Sequence, residues 1–339
     1  MVVKMESRKV YKSGGSTYIM SIPIDWVREL SLEEGDSVFL SKHQNSVTLY
    51  PEDREEENKV KIDTTKIPSY DSLLKFVIAH YLKGAKTIEI LFDDERDPEI
   101  KRKLNKVLDN LVGIEIVEDI GEKITLEIFI DYERMKTPTV LDRIKNIISS
   151  MLEDLEKGIK FENQEMIKES LKREESVDRL YFLILRELNY AITFQAVQEN
   201  LDIKNPGDVL SYKTIVKSYE RISDHIEDIC SDYIELIEIS EEIDFSEQII
   251  DLLNQLKAIL EKAWNSRNEN NLESFDRVFK EIREFNSKYD LIHEEIFEKT
   301  RSQKEVIKYT DIMISLSRIA QYISDMMEGE VNLNTNNFQ

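Results

Sequence analysis

The chain contains few of the residues that cross-link or interrupt a fold: one cysteine, six prolines and nine glycines in 339 residues. A single cysteine, Cys230, excludes an internal disulfide and a cysteine-rich metal site, which suits a reducing compartment. The N-terminus is polar and no apolar run approaches the roughly 18 residues of a membrane span. We therefore expect a cytoplasmic protein without a signal peptide or membrane insertion.

Basic side chains are also in deficit, because 46 lysines and arginines face 68 aspartates and glutamates, for a net charge of −22. The isoelectric point near 4.8 argues against a protein that binds nucleic acid over its whole surface. Residues 1–50 are different, since their acidic and basic side chains balance. The charge balance does not exclude a local nucleic-acid contact in this segment, and the affinity of such a contact should fall steeply with salt.

The pattern of residues 6–50 predicts strand, glycine turn, strand, short helix and hairpin. Gly14 and Gly15 form the turn between the first two strands, and Pro23 opens a helix that we place at Ile24–Leu30. The hairpin strands begin at Val38 and Val47. These elements are too few to enclose a core, so the unit needs a second copy.

Four short motifs support this interpretation: Lys12-Ser13-Gly14-Gly15-Ser16, Ser21-Ile22-Pro23, Trp26-Val27 and Leu32-Glu33-Glu34-Gly35-Asp36. Together they resemble the AbrB/MazE/SpoVT swapped-hairpin family. The resemblance implies that residues 1–52 form a homodimer with interleaved hairpins that binds DNA. The residues it places against DNA are Arg8, Lys9, Lys12, Ser13 and Ser16. The alternative is a dimerisation module without DNA binding, which the zero net charge permits.

A small α/β domain is predicted at residues 59–135, after an acidic linker. We expect strands beginning at Val60, Thr87, Ile114 and Lys123, and helices at Tyr70–Leu82 and Pro98–Leu111. The alternation suggests a split βαβ sandwich. The segment contains no glycine-rich phosphate loop, and the sequence predicts no function for it.

Beyond Pro138 the chain has only Gly158, Pro206, Gly207 and Gly329 as helix breakers, and apolar residues recur every three or four positions. We expect six long amphipathic helices arranged as two three-helix bundles, residues 138–238 and 244–330. The whole chain is then multidomain and mainly α.

Carboxylates follow the apolar faces of two of these helices. Glu220, Asp224 and Asp228 form one stripe at steps of four, and Glu174 and Asp178 form a second pair. If the two helices pack together, their oxygens suit a hard cation such as Mg²⁺, Mn²⁺ or iron. The alternative is that these are solvated faces, with ordinary salt bridges to neighbouring arginines at positions 173, 179 and 221.

The second bundle repeats the first with fewer acids. Aligning Asp178 with Asp290 and Arg221 with Arg318 replaces Glu174, Glu220 and Asp224 by neutral residues, in order Asn286, Ser317 and Gln321. We therefore predict that a second metal site is vacant or weak.

The run from Glu220 to Ile229 resembles the PhoU family of phosphate uptake regulators, whose members are tandem three-helix bundles that bind metal ions. Together with the AbrB-like N-terminal segment and the α/β segment, this run makes the whole chain resemble archaeal PhoU-type regulators. The resemblance implies that Glu174, Asp178, Glu220 and Asp224 bind a divalent or trivalent metal ion (Fe, Mn, Mg or Zn), with Asp228 as a further ligand.

Three classes of function follow. The preferred one is a non-enzymatic regulator of phosphate uptake that binds DNA, with a phosphate transporter or a sensor kinase as a further partner. The second is a DNA-binding or protein-binding scaffold whose acidic clusters are structural. The third is a carboxylate-metal enzyme, which we rank lowest because di-iron bundles use Glu-x-x-His on two helices and this chain has none.

Overall fold

The computed structural model describes residues 6–42, 47–51, 59–93, 98–132, 134–193, 203, 207–240, 243–269 and 271–335. The chain divides into two compact units, Met1–Asn58 and Lys59–Gln339. Within the described residues, no helix combines the length and apolar character needed to cross a bilayer.

The first unit has the predicted order of elements. Strands β1 (Val10–Ser13) and β2 (Thr17–Met20) form an antiparallel hairpin, helix α1 spans Ile24–Glu29, and strands β3 (Val38–Lys42) and β4 (Val47–Pro51) form a second hairpin. Among the residues of this unit whose burial is described, only Pro23 is buried. Large apolar side chains such as Tyr18 and Leu40 are 66% and 67% exposed. The described part of this unit therefore encloses no core of its own.

The second unit opens with a four-stranded sheet in the order β5-β6-β8-β7. Its elements are β5 (Lys59–Asp63), a 3₁₀ turn (Thr64–Lys66), α2 (Tyr70–Leu82), β6 (Thr87–Leu91), α3 (Pro98–Leu108), β7 (Ile114–Ile120) and β8 (Lys123–Ile128). Side chains of α2 and α3, including Val77 and Leu104, bury the apolar face of the sheet.

The predicted split βαβ arrangement is wrong. Strands β5 and β6 are direct parallel neighbours, paired from Lys59 with Thr87 to Asp63 with Leu91. In a split unit another strand would lie between them. The sequence predicts the strands and the crossover helix, but strand order depends on which edges pair in the folded domain, and no local pattern specifies that.

Six long helices complete the unit within the described ranges: α4 (Thr137–Lys160), α5 (Gln164–Thr193), α6 (Asp208–Ile239), α7 (Ser246–Glu269), α8 (Leu272–Lys299) and α9 (Gln303–Asn334). The predicted mainly helical architecture is confirmed. The predicted break at residues 201–209 lies mostly outside the described residues.

The two sets of three helices share one core through α6 and α9, which run antiparallel. Near one end Lys308 pairs with Asp232 at 2.9 Å, and near the other Gly329 packs against Ile215. A Cβ at Gly329 would lie 2.8 Å from the Ile215 Cγ1 atom, so the close approach of these helices requires glycine.

Arg186 joins the α/β domain to α5. Its side chain is 2% exposed, and its guanidinium donates to the carbonyls of Tyr81 and Ala85 and to the Tyr132 hydroxyl. The Tyr81 ring lies 4.8 Å from the guanidinium carbon, and Tyr132 stacks on Tyr190 at 5.0 Å between ring centroids. The Tyr81 carbonyl belongs to the last turn of α2, where the helix dipole favours a cation, and the Ala85 carbonyl to the turn that follows the helix. The sheet domain is thereby fixed on α5.

Candidate metal centre and hairpin residues

Three carboxylates from two helices converge in the first bundle. Glu174 and Asp178 lie one turn apart on α5, on either side of buried Val177, and Asp224 lies on α6 beside buried Ser223. One oxygen from each of the three carboxylates lies within 4.8 Å of the other two. The apolar faces of α5 and α6 pack against each other, and this packing brings the carboxylates together.

The surroundings of the three carboxyl groups disfavour their ionised forms. Burial raises the pKa of Glu174 to about 8, and the negative charges of Asp178, Glu227 and Asp224 add to this shift. Burial and the charge of Glu220 likewise raise the pKa of Asp224 to about 6 and move that of Asp178 upward. A bound cation would favour the ionised forms and oppose each of these shifts.

Neighbouring arginines neutralise only part of the cluster. Arg221 lies 3.1 Å from Asp224, but Arg173 pairs with Asp154 at 2.9 Å instead. Neither Glu174 nor Asp178 forms an ion pair with another described residue. Ordinary salt bridges therefore do not account for these two carboxylates.

The two remaining predicted ligands face other partners. Both carboxylate oxygens of Glu220 lie within 2.6 Å of the Lys217 ammonium, and Arg221 approaches at 3.7 Å. Asp228 is 58% exposed and lies 3.3 Å from the His225 Nδ1 atom. The structure thus brings together three of the five predicted ligands, and metal binding by any of the five stays a prediction.

Sequence reasoning missed Glu227, whose charge raises the pKa of Glu174. Burial, then Asp228 and Asp178, raise the pKa of Glu227 itself. The signal was available, because Glu227 is three residues after Asp224 and such residues share a helix face.

The donor chemistry suits a hard cation. All three converging ligands are carboxylates, which suit Mg²⁺, Mn²⁺ and iron better than Zn²⁺, for which cysteine and histidine are typical ligands. Cys230 is fully buried, as expected for a core residue. His225 stacks on Tyr322 and contacts Ser315 at 3.3 Å, so it bridges the two bundles.

The second bundle repeats the framework of the site without its acids. Arg318 donates to Gln321 at 3.0 Å, as Arg221 donates to Asp224 at 3.1 Å. The Gln321 amide stands where the first copy has a carboxylate. That the second site is weak or vacant stays a prediction.

The five residues predicted to face DNA lie on or beside the first hairpin and are all exposed. Lys12 and Ser13 belong to β1, Ser16 to the turn, and Arg8 and Lys9 precede the strand. Arg8 pairs with Glu6, which reduces the free positive charge of the group. The arrangement leaves their side chains accessible, and DNA contact stays a prediction.

Fold and site together define a helical-bundle protein with a cluster of three carboxylates, which also contains a unit of two β-hairpins, the hairpin unit (residues 1–58). Comparison with known proteins sharpens this class. Residues 141–233 match the family model of the PhoU domain, and residues 11–57 match that of MazE, a bacterial antitoxin described as antidote-toxin recognition.

Two solved structures share the helical fold. One is the phosphate transport system regulatory protein PhoU from Streptococcus pneumoniae, with a TM-score of 0.50 and 16% identity over 59% of this chain and 94% of that one. The other is PhoU from Pseudomonas aeruginosa, with a TM-score of 0.50 and 13% identity over 60% of this chain and 98% of that one. Comparison with curated proteins gave no match. One segment of the chain therefore resembles the PhoU domain and another resembles MazE, and at these identities the solved structures establish the fold alone.

Proposed function

We propose that this protein is a non-enzymatic regulator of phosphate uptake and phosphate homeostasis. It binds DNA as a homodimer through the hairpin unit and holds a metal ion in the first helical bundle. The observation that carries the proposal is the convergence of Glu174, Asp178 and Asp224 inside the segment that matches the PhoU domain, in a chain that also has a MazE-like domain.

The metal part rests on two half-buried carboxyl groups whose ionised forms the surroundings disfavour. Two half-buried carboxylates without a cationic partner among the described residues are costly unless they are protonated or bound to a cation. A hard ion supplies the missing charge through oxygen ligands. When bound it acts by ordering α5 against α6, because its ligands come from both helices.

The DNA and dimer parts rest on the hairpin unit. Its exposed apolar side chains require a cover, and a second copy with interleaved hairpins supplies one. Arg8, Lys9 and Lys12 of both copies then belong to one dimer, which doubles the basic groups available for phosphate contact. Ser13 precedes the same turn and Ser16 belongs to it, and both hydroxyl groups are hydrogen-bond donors.

Elemental analysis of chelator-free protein tests the metal site. We expect stoichiometric metal in the wild type and its loss in the double variant Glu174→Gln, Asp224→Asn, with Asp325→Asn on α9 as a matched control. Single variants Glu220→Gln and Asp228→Asn decide whether these two predicted ligands take part. Unchanged metal content in the double variant would contradict the assignment and favour a scaffold whose acids are structural.

Gel-shift binding to DNA from upstream of phosphate-transport genes tests the second part, with and without the metal found. We expect metal-dependent binding that weakens with salt. In a homodimer each substitution removes the side chain from both copies. A change such as Lys12→Gln therefore removes two phosphate contacts and should lower the salt slope by about two. Metal-independent DNA binding would mean that the regulatory signal enters through a protein partner. No DNA binding at low salt would leave the hairpin as a dimerisation module.

A further inference from the structure

A cleft of about 520 Å³ separates α5 from the α3–β7 end of the α/β domain. One wall is α5, which contributes Glu175, Ser176 and Arg179. The opposite wall contributes Asn105, Asp109 and Glu115, from the last turn of α3, the residue after it and the start of β7. The lining does not include Glu174 or Asp178, so this cleft is distinct from the acidic cluster.

The cleft is preformed because both walls belong to one fixed assembly. Arg186, two turns along α5 from Arg179, holds the C-terminal end of α2, and Tyr132 stacks on Tyr190 beside it. Sites of this size between two packed substructures are typical of small-molecule binding, for which pockets of about 300 to 1,000 Å³ are usual.

The charges in the cleft are not neutralised by one another. Asp109, Glu115, Glu175 and Arg179 are exposed, and none of them forms an ion pair with another described residue. Glu175 and Arg179 are four apart on α5, a spacing that permits an ion pair, yet they do not close one. The last turn of α3 also ends at the cleft and presents the negative end of its dipole. The lining therefore offers an excess of anionic groups and a single anion-binding fork.

We propose that this cleft binds a small basic amino acid or a close analogue, a molecule with two ammonium groups and one carboxylate. Its ammonium groups match the carboxylates of Glu175, Asp109 and Glu115. Its carboxylate matches Arg179, whose planar guanidinium binds such groups in a bidentate manner. Asn105 and Ser176 supply neutral hydrogen-bonding groups on the two walls. This binding activity is separate from the proposed metal and DNA functions.

Calorimetric titration of the full chain with three matched probes tests the proposal. Lysine carries all three charged groups, cadaverine is lysine without the carboxylate, and norleucine is lysine without the side-chain ammonium. We expect lysine to bind and each of the other two to bind about tenfold or more weakly, since each lacks one charge-assisted contact.

Variants assign the binding to the cleft. Arg179→Gln should weaken lysine about tenfold while leaving cadaverine unchanged, and Glu175→Gln should weaken both. Both positions are exposed, so the fold is preserved, and Glu298→Gln on α8 is the matched charge control. Absence of lysine binding, equal affinity for lysine and cadaverine, or wild-type affinity in both cleft variants would each overturn the proposal.

Discussion

Glu187 is a fully buried carboxyl group whose Oε2 accepts a hydrogen bond from the Thr137 hydroxyl at 2.9 Å, while its Oε1 has no described partner. Burial raises the pKa of Glu187 to about 8. A carboxyl group in this position is neutral in the folded protein at pH 7, although it is ionised in the unfolded chain.

This difference predicts a pH-dependent loss of stability. Because the folded pKa lies above the unfolded value, the stabilisation is fully present below the unfolded pKa of about 4.5 and is lost as pH rises towards 8. Glu187→Gln keeps the acceptor for Thr137 and does not titrate. As pH rises from 5 to 8, the free energy of unfolding of the variant should therefore increase relative to that of the wild type, by on the order of 3 kcal/mol.

Urea unfolding at a series of pH values measures the effect, with Glu298→Gln as an exposed control of the same charge change. A constant difference between wild type and Glu187→Gln across this range would show that Glu187 is ionised in the folded protein.

Arg186 gives a second prediction at the residue scale. A lysine ammonium cannot satisfy the carbonyls of Tyr81 and Ala85 and the Tyr132 hydroxyl together, because these groups are arranged around a planar fork. Arg186→Lys should lower the free energy of unfolding by about 1 to 3 kcal/mol, the cost of a buried polar group left unpaired.

The comparison is Arg179→Lys, an exposed change on the same helix, which should stay within about 0.5 kcal/mol of the wild type. Denaturant unfolding followed by circular dichroism measures both. Equal stability of the two variants would mean that the joint between α2 and α5 does not depend on the guanidinium.

At the scale of elements, the helical hairpin formed by α4 and α5 depends on a glycine near the end of α4. A Cβ at Gly158 would clash with the Ile167 Cγ1 atom and lie 3.2 Å from the Asn163 carbonyl oxygen. The backbone of the turn is one of the neighbours, so a side-chain rotation alone does not relieve the contact. The helices approach this closely only without a side chain at position 158.

Gly158→Ala should therefore destabilise the protein by about 1 to 3 kcal/mol, although alanine is the better helix former. Gly207→Ala is the matched control, because a Cβ at Gly207 meets no atom of the described residues within 4 Å. Thermal unfolding of both variants checks this, and a stabilising effect of Gly158→Ala would contradict the close packing described for the hairpin.

Helix boundaries show how far sequence reasoning reaches at this scale. The predicted helix Tyr70–Leu82 agrees with α2 at both ends, since Ser69 caps its N-terminus and its apolar spacing is regular. The helix predicted to reach Leu111 ends at Leu108, ahead of a turn that leads to Gly113 at a φ of +73°. The apolar spacing continues through Leu111 and therefore predicted a longer helix. The helix ends earlier because the chain has to turn before it enters β7.

At the scale of the whole molecule, the hairpin unit implies a dimer. Met20 and Leu40 are 56% and 67% exposed in a single chain, which is a cost that a second copy removes. We expect a dimer by light scattering, and a monomer for the double variant Met20→Asp, Leu40→Asp.

Leu291→Asp on α8 is the control, because this leucine is 69% exposed but lies in the helical unit, that is, the second unit (Lys59–Gln339). It should leave the dimer intact. The helical unit should unfold at the same temperature in all three proteins, since its core contains neither set of residues. A monomeric wild type would contradict the swapped-hairpin interpretation.

The sequence by itself determined the order and type of the elements and the position of the acidic residues on the helices, because periodicity, capping and breakers are local properties of the chain. The tertiary structure decided what depends on contacts between distant segments. It placed β5 directly beside β6, directed Asp224 towards Glu174 and Asp178 but Glu220 towards Lys217, and buried Arg186 under α2. Residues four apart on one helix are equivalent in a sequence pattern. The packing of the next helix makes Asp224 a candidate metal ligand, whereas Glu220 forms an ion pair with Lys217.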